Sequence, residues 1–343
     1  MSDSAVQELG WVTARGTPRA IGRALGIAGR DAVRRVLLGS DYWAAVTDPV
    51  HAIAVQRMTD TLAARFPAVL DEIAGMAEGL GLPVEQVVAW NCRGDLISNV
   101  PDGCTTVQLP GATPVIAHNE DGLPGFRGAA FIADVSPEDG PGFLAFCYPG
   151  SIPGHTFAVT RAGLAQAVNN LRLCGVVPEV PRMALGRSVL RSTTLDDALG
   201  LLRAENASGG FHFTLAQSGD DRLVSVEFGG GQCAQRVLEA PALHANHALT
   251  LDCGAADQTI TTSSADRQAR GAALIAAGAR DPVAILRDTG GTGLPIHRTA
   301  EDDPDCENTL ATAVMHVGQT GVDWRIYDQS APQPIYTGTT ERH

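Results

Sequence analysis

The chain changes texture once, near Arg93, and that change limits what it can fold into. From about Thr17 to Leu82 apolar residues recur every three or four positions, as in "AIAVQRMTDTLAARFPAVLDEIAGMAEGLGL". This spacing predicts helices with one buried face. Gly81 and Pro83 punctuate the run, and "PVEQVVAWNC" predicts one more short helix. After Arg93 come short β-rich runs bounded by Gly, Pro, Asp or Asn: "TTVQL", "PVIAHN", "AAFIADVS", "FLAFCYPG" and "TFAVT". A single helix is expected over "RMALGRSVLRSTTLDDALGLLRAE". A hairpin should follow, from "FHFTLAQSG" and "RLVSVEFGGG" with Asp220-Asp221 at the turn. "SADRQARGAALIAAG" and "DPVAILRDT" predict helices, and "TLATAVMHVG" with "VDWRIYDQ" a closing hairpin. Helices, strands, helix, strands, helices, strands is an α+β order, unlike the alternation of a parallel sheet. "GGTGLPIHRTAEDDPDCEN" is expected to be a long, mobile loop.

A chain of 343 residues can bury a sizeable core as one large domain or two ordinary ones. Its 44% hydrophobic and 18% charged residues describe a globular protein. There is no lysine, and the net charge of −13 argues against nucleic acid, which needs a basic face. No window approaches a transmembrane span, and "MSDSAVQELGWVTARG" lacks the basic and apolar regions of a secretory signal. The expectation is a cytoplasmic protein with no membrane partner. The seven cysteines are scattered, odd in number and without a C-x-x-C pair. That argues against a disulfide framework and against structural zinc. Six of them are expected to be small buried hydrophobes.

Cys104, in "PDGCTTVQLPGATPVIAHNEDG", reads differently because of its neighbours. A thiol nucleophile needs a base or a positive field. Nine histidines leave a papain-like pairing open, although the helix that follows a papain-type cysteine is missing. A second route needs no histidine. Cutting the Gly103–Cys104 bond would give Cys104 a free α-amine, with a reference pKa of roughly 7.7–8.0. Such an amine suits general-base work near neutral pH. The sulfur can make the cut by attacking the preceding carbonyl, giving a thioester that water opens. Gly103 offers no side chain to obstruct that attack.

"DGCTT" followed by "AHNEDG" resembles the penicillin acyltransferase family (peptidase family C45) of N-terminal nucleophile hydrolases. Further similarities follow in order: "TRAGLAQAVNNL", "LVSVEF", "LHANHAL" and "TLATAVMH". "SSADRQAR" is similar to a segment of the related bile-salt hydrolases. The resemblance spans most of Cys104–Asp328, and more weakly the helical part before it. It implies a four-layer αββα sandwich, α+β in class, forming one domain from two segments. Residues 1–103 would be a helical segment released by self-cleavage that stays bound, and residues 104–343 the catalytic segment.

The resemblance also implies the roles. Cys104 is the nucleophile and, through its amine, the base. Asp121 would anchor that amine if its strand returns antiparallel beside Cys104, and Glu120 would then point to the opposite face. Asn246, in "HANH", would donate to the oxyanion. Arg267 would lie near the thiol, depress its pKa and orient Asp121, with a solvated helix face as its equal alternative, as for Arg270. Thr105 and Thr106 would brace the first strand, and Asn119 would support from a turn. His244 and His247 lack the carboxylate or thiol company of a metal site. The fungal penicillin-making members carry a Ser-Arg pair where this chain has Asn308-Thr309, which puts a penicillin-type substrate in doubt. The expected activity is removal of an acyl group from a small N-acylated compound through an acyl-Cys104 thioester, without metal or organic cofactor. An acyl-CoA-dependent N-acyltransferase, with the CoA thioester as co-substrate, uses the same residues; the acidic chain shows no clear basic patch for its phosphates. A non-catalytic binding module is the third alternative, and a homo-oligomer stays open.

Overall fold

The computed structural model describes residues 9–97, 103–254 and 257–341. Among them fourteen strands form two sheets. In chain order these are β1 (Gly10–Gly16), β2 (Gly103–Leu109), β3 (Val115–Gly122), β4 (Phe131–Pro137), β5 (Phe143–Cys147), β6 (Phe157–Thr160) and β7 (Leu164–Asn170). Then follow β8 (Phe211–Gln217), β9 (Leu223–Gly229), β10 (Gln232–Val237), β11 (Ala242–His244), β12 (Asn308–Val317), β13 (Gly321–Asp328) and β14 (Tyr336–Glu341). One sheet runs β1-β4-β5-β6-β7-β8-β9-β10, the other β11-β2-β3-β12-β13-β14. All pairings are antiparallel except that of β1 with β4.

The sheets stack face to face along a polar seam. Thr106 of β2 donates to Asn169 of β7 at 2.7 Å, and Gln108 of β2 to Thr214 of β8 at 2.7 Å. Helices cover the outer faces. Pro18–Ala32 and Leu195–Ala204 lie on the eight-stranded sheet, with Pro67–Leu80 packed on the first of them. Thr262–Ala276 and Pro282–Leu286 lie on the six-stranded one, where Val107, Ala117, Leu243, Leu286 and Val314 make a second apolar cluster.

Local chemistry explains several element ends. Thr17 caps the first helix by accepting from Ala20 N–H at 3.2 Å, and Pro18 fits its first position. Gly81 ends the helix Pro67–Leu80 at φ 73°, a backbone shape that favours glycine. The helix expected from Arg182 onward is two, Arg182–Val189 and Leu195–Ala204. Thr194 breaks it by turning extended, φ −129° and ψ 156°, to cap the second from its hydroxyl. The sequence reading names no strand at β1, β7, β10, β11 or β14. The loop expected to be mobile is anchored instead. Arg298, fully buried at its centre, donates to Asp303 at 2.9 Å, to Glu307 at 2.6 Å and to Ser263 at 2.6 Å.

Candidate active site

Cys104 sits one residue into β2, 3% exposed, with its sulfur in the seam between the sheets. Three N–H groups converge on Sγ. Asn246 Nδ2 donates at 2.9 Å, Asn169 Nδ2 at 3.3 Å, and the backbone N–H of Asn170 also hydrogen-bonds it. The thiol itself faces the Val168 carbonyl at 3.5 Å. Among the described residues no histidine nitrogen hydrogen-bonds the sulfur. Burial, and then the charge of Glu120, push the thiol pKa well up, while Asn246, Arg267 and Asn170 pull it down.

Asn246 meets Cys104 at both ends of its amide, since its Oδ1 accepts from the Cys104 backbone N–H at 3.0 Å. Two elements hold it. Ser264, on the helix Thr262–Ala276, accepts from the Asn246 backbone N–H at 2.8 Å. Glu227 on β9 then clamps the loop beyond, accepting from the N–H groups of Leu249, Thr250 and Leu251, each at 2.8 Å. Burial favours the neutral acid at Glu227, but His244, at 2.9 Å, and those N–H groups outweigh it and hold the carboxyl below its usual range.

Arg267 is buried, not on a solvated face. Its guanidinium donates to the Cys104 carbonyl at 2.5 Å, to Thr105 Oγ1 at 2.9 Å and to Asn246 Oδ1 at 2.7 Å. Arg270, one turn on, pairs with Asp288 at 2.7 Å on a partly exposed face. Thr106 joins the seam. Asn119 lies on the outer face of β3, where its amide bonds the Leu286 carbonyl and Thr312.

The acidic pair falls differently from the sequence expectation. β3 does return antiparallel beside β2, but Cys104 pairs with Glu120, and Asp121 pairs with Gly103. Directly opposed residues share a face. Glu120 is therefore the carboxylate on the sulfur side, where it accepts from Tyr148 at 2.8 Å and lies 3.0 Å from His118 Nε2. Burial, then Arg267, lowers the His118 pKa to about 3, so that imidazole is neutral near pH 7. Asp121 lies on the outer face. Its Oδ1 accepts from Thr309 at 2.6 Å, and its charge raises the pKa of Arg267 against burial without a direct hydrogen bond between them.

His244 and His247 are structural partners. His244 stacks on His212 with ring centres 3.5 Å apart and bonds Glu227, and His247 bonds Ser264 at 2.7 Å. Among the described residues no group of three or more His, Cys, Asp or Glu side chains is placed to hold a metal ion. The described cysteines are all free; Cys92 and Cys147 are buried as expected, whereas Cys174 and Cys306 are exposed. No described helix is long and apolar enough to cross a membrane.

Sequence reasoning missed Asn169, Asn170, Glu120 and Glu227 as neighbours of the thiol or of Asn246. The run "VNN" was visible, but only the pairing of sheets shows that β7 ends under Cys104. Beside Asn170 opens a cavity of about 320 Å³, lined in part by Asp95, Arg172, Arg182 and Gly209. Asp95 is half-buried, and its loss of solvent raises its pKa to about 6 against the pull of Arg182.

Sequence comparison makes this arrangement part of an enzyme acting on acyl or amide bonds. The family model described as acyl-coenzyme A:6-aminopenicillanic acid acyl-transferase matches residues 109–330, well over half the chain. The chain belongs to this family. Asp121, Asn246 and Arg267 fall within the match, and Gly103 and Cys104 lie just before it. No curated protein matches the chain.

Proposed function

We propose that the protein is a self-cleaving cysteine amidohydrolase of the N-terminal nucleophile type, which removes an acyl group from a small N-acylated compound. One observation carries the reading: three N–H donors converge on the sulfur of a cysteine preceded by glycine. Donors this close to the attacking sulfur lie within reach of the substrate oxygen that takes up negative charge as the sulfur attacks, and one oxyanion donor is worth about 2.7–4 kcal/mol in the transition state.

In the mature protein the freed amine of Cys104 takes the thiol proton, and Sγ attacks the substrate carbonyl. Asn246 and the Asn170 N–H then serve the oxyanion. The leaving amine is protonated, and water opens the acyl-thioester. Asn246 Oδ1, which accepts from the Cys104 N–H, turns the same amide towards the new ammonium or amine. Asp121, opposite Gly103, adds a carboxylate on the outer side of that nitrogen. The cavity beside Asn170 offers room for a small, polar substrate. Residues 1–103 and 104–343 then form the two chains of one domain.

Transfer of the acyl group from a CoA thioester to an amine is the second reading, favoured by the family's own description. The same site serves it, with an amine replacing water in the last step.

Intact-mass analysis tests the proposal. Wild type should give two fragments, the second beginning at Cys104, and Cys104→Ala should stay one chain without amidase activity. An active wild type that stays uncut would overturn the mechanism. Product analysis with N-acyl amines and with acyl-CoA plus amine separates hydrolysis from transfer.

A further inference from the structure

Gly103 is tightly enclosed on one side. A Cβ built there would overlap a carboxylate oxygen of Glu307 and sit 2.8 Å from its Cδ. Side chains alternate along a strand, so Glu307 approaches Gly103 from the face away from the Cys104 sulfur. Glu307 precedes β12 and is 3% exposed. Arg298 donates to it at 2.6 Å, and Arg172 lies 3.8 Å from its other oxygen. Arg267 and Asp121 are its further charged neighbours. Asp121 shares this face, yet the three atoms nearest to the built Cβ all belong to Glu307. Glu120 lies on the sulfur face, with Tyr148 on one oxygen and His118 at the other.

We propose that Glu307 is the general base for the water that opens the Gly103–Cys104 thioester, so the chain carries a dedicated group for its own maturation. This rests on the self-cleavage reading above. In the first step Sγ bonds to the Gly103 carbonyl carbon, the C–N bond to Cys104 breaks, and the thiol proton ends on the freed nitrogen. In the second, a water oxygen bonds to the same carbon while Glu307 takes one of its protons. The C–S bond then breaks and the sulfur leaves as a thiolate, which takes up a proton from solvent while Glu307, on the other face, releases its own to solvent. The products are a Gly103 carboxylic acid and a Cys104 with free amine and thiol; Glu307 is restored. Its acidity fits. Burial raises the carboxyl to about 7, against the pull of Arg298, Arg267 and Arg172, so it can take and return a proton near neutral pH. Its place at Gly103 also explains why that position admits no side chain.

The test follows cleavage by intact mass in wild type, Glu307→Gln, Glu307→Asp and Cys104→Ala, with and without neutral hydroxylamine, which opens thioesters unaided. Glu307→Gln should cleave about 100-fold more slowly or worse, within the usual range for a lost general base. Hydroxylamine should restore its cleavage and leave a Gly103 hydroxamate, while Cys104→Ala stays whole. Glu307→Asp, which keeps a charge for Arg298, should be slowed and rescued likewise, and it decides the matter if Glu307→Gln is insoluble. Cleavage of Glu307→Gln at the wild-type rate overturns this assignment alone. So does a soluble Glu307→Gln that hydroxylamine cannot cleave, because the carboxylate would then be needed before the thioester forms. A wild type that never cleaves overturns the self-cleavage reading, and this proposal with it.

Discussion

At the scale of single residues, the site balances one carboxylate against several donors. Glu120 directly opposes Cys104 on β3, and its negative charge disfavours the thiolate, second only to burial in raising that pKa. The Asn246 amide, the Arg267 charge and the Asn170 N–H act the other way. Glu120→Gln keeps the shape of the side chain and can still bond Tyr148, but removes the charge. The thiolate should then form at lower pH. Alkylation of Cys104 by iodoacetamide, followed against pH by the mass of the Cys104 peptide, should show its midpoint shifted downward in the variant. An unchanged midpoint would mean that the Glu120 charge does not reach the sulfur. Arg267 fits the same frame, since it touches the carbonyl of Cys104 and the amide of Asn246 at once and so couples the reacting strand to its donor.

At the scale of elements, glycine sets how closely the two long N-terminal helices approach. Gly22 and Gly26 of Pro18–Ala32 face Gly75 and Gly79 of Pro67–Leu80. A Cβ on Gly75 would lie 2.8 Å from the carbonyl carbon of Arg19, and one on Gly79 2.8 Å from the Cα of Gly26. Backbone cannot move aside as a side-chain tip can. Gly75→Ala should therefore destabilise by roughly 1–3 kcal/mol, seen as a lower denaturant midpoint with an unchanged slope. The periodicity of these helices was legible in the sequence; their close crossing was not, because glycine leaves no mark on an apolar repeat. The strands divide in the same way. Buried runs such as β8 and β9 show themselves by composition. β1, with alternate residues facing solvent at a sheet edge, resembles a polar terminus until β4 is known to lie beside it. The faces of Glu120 and Asp121 depend on register, and a slip of one residue exchanges them. Nothing in "AHNEDG" fixes whether Gly103 or Cys104 pairs with Asp121. Cys104, Asn246 and Arg267 were legible because their motifs are local, whereas Glu307 was hidden at the end of a loop that looked mobile.

At the scale of the whole molecule, residues 9–97 are part of the two-sheet body, not a cover laid over it. β1 adds a seven-residue parallel edge to the eight-stranded sheet. Trp11 on that edge stacks on Trp324 of β13 and meets Tyr336 of β14, so the segment reaches both sheets. The main core cluster runs from Leu9 through Trp90 into Ile116 and on to Ile326. Polar contacts cross the same boundary: Asn91 Oδ1 accepts from Ile152 N–H at 2.8 Å, Trp90 Nε1 donates to Ser151 at 3.1 Å, and buried Glu72 pairs with buried Arg187 at 2.8 Å. Cutting one peptide bond removes none of these. Residues 1–103 and 104–343, encoded separately and coexpressed, should therefore assemble, and a tag on the first should recover the second in equal amount. Glu72→Ala would strand the Arg187 guanidinium in the core, a loss of about 3–5 kcal/mol when one partner of a buried pair is removed. That variant should lower the recovery, or the denaturant concentration at which the pair separates. Independent elution of the two wild-type segments in gel filtration would show instead that the first segment is dispensable to the fold.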